Sequence, residues 1–101
     1  MQTTGYAVIF SAEMSEDLDG YDEMIARMRD LAAKQPGYMG MESTMQGTRE
    51  ITVSYWRNPD DIALWKQHPE HVQAQQLGRA RWYRSYTVRV ARIERCYAHT
   101  G

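Results

Sequence analysis

One cysteine, one phenylalanine, three prolines and almost no net charge set the first limits on this chain of 101 residues. With Cys96 alone no internal disulfide can close, so the fold rests on packing and a reducing compartment suits it. No stretch approaches the roughly 18 consecutive apolar residues of a membrane-spanning helix, and the N-terminus lacks the basic start and apolar run of a secretory leader. The expectation is a cytoplasmic protein with no membrane partner. Twelve Lys and Arg against 13 Asp and Glu leave a net charge of −1, too little for bulk attraction to nucleic acid. What is there is ordinary for a globular chain: 43% apolar and 25% charged residues, at a length of about one domain. A single domain over residues 1–101 is expected.

The charge is unevenly spread. Residues 1–61 hold 11 acids and 5 bases, and residues 62–101 hold 2 acids and 7 bases, six of the latter being arginines from Arg79 to Arg95. Oppositely charged elements that meet within the fold or across a dimer account for this; the sharper alternative is a surface for an anionic ligand. Arg79, Arg81 and Arg84 interleave with Trp82, Tyr83 and Tyr86, as in single-strand nucleic-acid binders. Strand alternation, however, places Trp82, Arg84 and Tyr86 on one face and Tyr83 on the other, which leaves no single stacking platform.

Periodicity reads as six elements. Tyr6 to Met14 alternates as a strand, and Asp19 is placed to cap a helix whose stripe is Tyr21, Met24, Ile25, Met28, Leu31 and Ala32, stopped by Pro36-Gly37. Tyr38–Met45 and Ile51–Arg57 read as a hairpin with Gly47 at a position needing positive φ. Asn58-Pro59-Asp60-Asp61 gives a capping residue, proline at the first helical position and two acids in the first turn. Pro69 breaks that helix, so a second piece starts near His68 or Pro69 and ends by Gly78. The β-branched and aromatic run from Arg81 to Tyr97 reads as one long last strand. The order βαββαβ is the split βαβ, ferredoxin-like pattern, an α+β fold with an antiparallel sheet and both helices on one face. The other face is expected to show Tyr, Met, Val and Trp side chains, more apolar surface than a monomer leaves wet, which predicts a homodimer by face-to-face sheet packing.

Trp65, His68 and His71 form the densest local constellation, since an aromatic wall beside an imidazole titrating near neutrality suits proton abstraction from a phenol or quinol. Ordinary core packing for Trp65, backbone bonding for His68 and a solvated surface position for His71 are the competing readings. His68-x-x-His71 with Cys96-x-x-His99 has the look of two ligand pairs, but Pro69 spoils the helical geometry of the first, and no metal site is expected. The seven methionines fill core gaps or make an adaptable wall.

The run Tyr55-Trp56-Arg57-Asn58, Asp60-Asp61-Ile62, Trp65-Lys66-Gln67-His68, His71, Ala74-Gln75, Gly78-Arg79 and Trp82-Tyr83 resembles the antibiotic biosynthesis monooxygenase (ABM) superfamily of dimeric α/β barrels, in its branch of small stand-alone proteins. The resemblance implies a homodimer with a pocket in each subunit between sheet and helices, and a tryptophan at the position of Trp65 lining it. It also implies a monooxygenase that oxidises a hydroxyaromatic, quinol or anthrone-like, small molecule with O₂ and no cofactor. On that basis His71 and His68 are the candidate catalytic residues, and Trp65, Trp56, Phe10 and Met41 the candidate substrate-binding residues. Haem binding or haem degradation is the alternative within the same fold. The triad of that branch needs a strand asparagine, whereas the one asparagine here, Asn58, stands at a helix start. A non-catalytic dimer that binds a hydrophobic metabolite is the alternative of a different class, since fold does not fix activity.

Overall fold

The computed structural model describes residues 5–101, so the first four residues of the expected domain lie outside the described part. Strand β1 is Tyr6–Met14 and helix α1 is Tyr21–Ala32; strands β2 and β3 are Tyr38–Gln46 and Arg49–Trp56. Helices α2 and α3 are Pro59–Lys66 and Pro69–Leu77, and strand β4 is Tyr83–Arg92. The four strands make one antiparallel sheet in the order β2-β3-β1-β4, the α+β ferredoxin-like arrangement read from the sequence. Gly47 turns the β2–β3 hairpin at φ 59, a region open to glycine at no steric cost. Asn58 caps α2, its side chain accepting the Asp61 N–H at 3.0 Å.

Three local expectations change. Asp19 does not cap α1; Gly20 takes the capping position at φ 80 without a side-chain bond, while the Asp19 carbonyl accepts the Trp82 indole N–H at 3.0 Å. Strand β4 ends at Arg92 and does not reach Tyr97: among the described residues its one neighbour is β1, whose first residue Tyr6 pairs with Arg92. One more bond, from the Ile93 N–H to the Gly5 carbonyl, closes the ladder, and residues 94–101 leave it. Gly78–Trp82 forms a π-helical turn into β4. Beyond it the β1–β4 register shifts, with Glu13 opposite Ser85 and Met14 opposite Tyr83. That bulge adds a residue and brings Tyr83 onto the same face as Tyr86, where strict alternation had separated them.

The helices pack on one face of the sheet over two buried clusters, Ala12, Met14, Tyr21 and Trp82 in one, Met28, Ala32, Trp56 and Trp65 in the other. Met24 packs against both. Opposite charges do meet within the chain: Arg81 lies 3.3 Å from Asp17 and 3.7 Å from Asp19, and Arg27 reaches Glu70 at 3.1 Å. These exposed pairs add little stability each. The composition of the open face also changes. Trp56 and Met41 are on the helix side, and the open face carries Ala7, Ile9, Ile51, Val53 and Tyr55 among Glu42, Arg49 and Arg89. It is an apolar centre within a charged frame.

Candidate active site

Between the sheet and the helices lies a cavity of about 360 Å³, walled by members of both clusters. Its aromatic end is built by one proline. In an uninterrupted helix the amide of residue 69 would bond the carbonyl of Trp65, but Pro69 has no N–H to give. The carbonyl is instead satisfied twice, by the His68 N–H at 3.1 Å and by the His71 ring Nδ1 at 3.0 Å. A carbonyl only accepts, so the hydrogen of the neutral His71 ring sits on Nδ1 and Nε2 carries the lone pair. The same bond lays the imidazole on the Trp65 indole, centroids 4.3 Å apart and planes 10° off parallel. Trp65 in turn stacks on Trp56 at 6.5 Å. Burial pushes the His71 pKa below its ordinary 6.5, with the positive field of Lys66 acting in the same direction and the Trp65 carbonyl opposing it.

The candidate residues separate on this geometry. Trp65, His71, Phe10 and Met41 line the cavity together. Trp56 is fully buried behind Trp65, its indole N–H donating to Ser54 Oγ at 2.8 Å, and takes no place on the wall. His68 is also off the wall: its Nδ1 accepts the Glu70 N–H at 3.2 Å and caps α3, the backbone role that a residue before a helical proline readily takes. Among the described residues no three His, Cys, Asp or Glu side chains are grouped as metal ligands would be. Asn58 is committed to its cap, away from any strand.

The opposite part of the wall escaped the sequence reading. Glu50 is 6% exposed on the inner face of β3, and both of its carboxylate oxygens accept the Tyr21 hydroxyl, at 2.6 and 2.5 Å. The Tyr83 hydroxyl donates on to Tyr21 at 3.5 Å. Burial pushes Tyr83 up to about 12, and burial together with Glu50 raises Tyr21 further, so both phenols stay protonated donors. Phe10, Tyr83 and Tyr86 pack as an aromatic trio beside them, with centroids 5.1 to 5.7 Å apart. In the sequence Glu50 falls just before the expected strand Ile51–Arg57, and the alternation Glu50, Thr52, Ser54 looks like a solvent face. The available signal was Trp56, which shares that parity and had to be inside.

No protein-family model matches the sequence. The chain is 52% identical over 91 residues to YqjZ of Bacillus subtilis (strain 168), an uncharacterized protein, a match covering 89% of this chain and 80% of that one. It belongs to the same family as YqjZ. The fold likeness is to solved structures of low identity. A candidate antibiotic biosynthesis monooxygenase from Nitrosomonas europaea superposes with a TM-score of 0.76 at 15% identity, covering 89% of this chain and 90% of that one. SnoaB, a cofactor-independent oxygenase from Streptomyces nogalater, superposes with a TM-score of 0.70 at 13% identity, covering 97% and 96%. This fold thus hosts at least one oxygenase that needs no cofactor. Among the described residues no helix is long and apolar enough to cross a membrane.

Proposed function

We propose that this protein is a cofactor-independent monooxygenase that oxidises a small hydroxyaromatic compound with O₂, working as a cytoplasmic homodimer. One observation carries the reading: an imidazole held neutral by burial, with its proton fixed on Nδ1, stacked against an indole on the wall of a cavity of ligand size. That is a general base beside an aromatic platform. Nε2 of His71 takes the phenolic proton of a substrate lying along Trp65. The resulting anion passes one electron to O₂, and the aryloxyl radical, whose spin is shared by a ring carbon, recombines there with superoxide into a carbon–oxygen bond. The peroxide receives the proton back from the imidazolium, the O–O bond breaks as the same carbon gives up its hydrogen, and water leaves, so that a carbonyl stands where a C–H was. One oxygen atom ends in product and one in water, so no outside reductant is needed. SnoaB, of the same fold, is described as a cofactor-independent oxygenase, which supports the class of reaction.

The test is oxygen consumption by the purified protein given an anthrone or a quinol, with the product examined for ¹⁸O from labelled O₂. Uptake above the uncatalysed rate with one labelled atom in the product is expected. Uptake that stops on metal chelation, or none with either substrate class, would overturn the proposal.

A further inference from the structure

Glu50 is a carboxylate more than nine-tenths buried on the inner face of β3, near the hairpin end of the sheet, and among the described residues no cation pairs with it. Register places it there: it stands between Met45 of β2 and Ala12 of β1, and the neighbouring Arg49, one residue earlier, points to the open face and pairs with Glu13 at 3.2 Å. Its protein donor is the single Tyr21 hydroxyl, shared between the two oxygens. An ionised carboxylate offers about four acceptor positions, and one phenol leaves most of them unused. A buried charge so thinly satisfied destabilises the fold unless something else bonds to it. Glu50 is also part of the cavity wall, with the apolar Phe10, Met24 and Ile25 around the same space. A donor entering the cavity is what the unused acceptor positions fit.

We infer that Glu50 is a specificity-determining residue, accepting a hydrogen bond from a ligand hydroxyl, so that the cavity selects dihydroxylated aromatics: one hydroxyl at His71, the second at Glu50. The inference rests on the reading of this cavity as the substrate site and adds the substrate's second functional group. Tyr21 bonds the carboxylate from behind, and Tyr83 bonds Tyr21. A ligand lacking the second hydroxyl leaves Glu50 desolvated without a new donor, and rejection of such an analogue is stronger than any apolar mismatch gives.

The experiment measures binding by quenching of tryptophan fluorescence, with naphthalene, 1-naphthol and 1,5-dihydroxynaphthalene as probes, without turnover. The wild-type protein should bind the diol about tenfold or more tightly than 1-naphthol, the usual scale for a hydrogen bond to a buried charge. Glu50→Gln, nearly the same size and still able to accept from Tyr21, should bring that preference down to about threefold or less. Tyr21→Phe separates a ligand role from a structural one: it removes the protein donor, leaves the acceptor, and should keep the preference. Equal affinity for diol and naphthol in the wild type, an undiminished preference in Glu50→Gln, loss of it in Tyr21→Phe, or no binding of any probe would each overturn the inference. Diol preference that depends on Glu50 in a protein that consumes no oxygen would sink the oxygenase reading and leave this one standing.

Discussion

At the scale of single residues, the proposed chemistry rests on a histidine whose ring is placed by a bond that a proline left open. The Trp65 carbonyl holds His71 Nδ1 at 3.0 Å, and burial lowers the pKa from 6.5. The base is therefore the unprotonated form, present above the lowered pKa and lost as pH falls through it. The pH profile of kcat/KM should rise with a midpoint below 6.5; a midpoint above that value would count against His71. His71→Ala should cut kcat/KM by about a hundredfold or more, read by oxygen electrode, with thermal unfolding little changed. Trp65→Phe trims the platform and leaves the base, so KM should rise while kcat stays close to wild type. His68 shows the limit of residue-level inference. Three residues before His71 in the sequence, it is separated from the cavity by the direction its helix start gives it.

At the scale of elements, α2 matters more than its length suggests, because it delivers Trp65 and half of the corner that orients His71. An eight-residue helix is too short to hold itself and depends on its cap and packing. Asn58→Ala should cost about 1 kcal/mol of stability, seen as a lower urea midpoint with an unchanged m-value. An unchanged midpoint would show that packing alone holds α2. The helices and the hairpin were legible because capping, proline and glycine act over three or four residues. The π-helical turn and the β1–β4 bulge were not, since both arise from fitting Gly78–Tyr83 between a helix end and an edge strand. Those two features bring Tyr83 beside Tyr86 and Phe10, and with them a wall that alternation alone had scattered.

At the scale of the whole molecule, the sheet has its apolar and polar faces in unexpected places. On β3 the inward set is Glu50, Thr52 and Ser54 ahead of Trp56, and the outward set is Ile51, Val53 and Tyr55. Polar groups facing in make a site; apolar groups facing out call for a partner. A second copy packing sheet to sheet satisfies the second condition. Light scattering at micromolar concentration should give about twice 11.8 kDa, and Val53→Arg, a charge at the centre of the open face, should give the mass of one chain. A monomeric wild type would remove the dimer and the barrel with it.

The order of strands and helices, the hairpin at Gly47, the cap at Asn58 and the break at Pro69 were determined by the sequence alone, because each depends on the backbone preferences of a few adjacent residues. Trp65 and His71 could be named for the same reason, lying one helical corner apart. Which face of β3 looks inward, and so the role of Glu50, was decided only by tertiary structure. A strand's alternation fixes that two sets of residues oppose each other, and only the packing of Trp56 under Trp65 decides which set is buried.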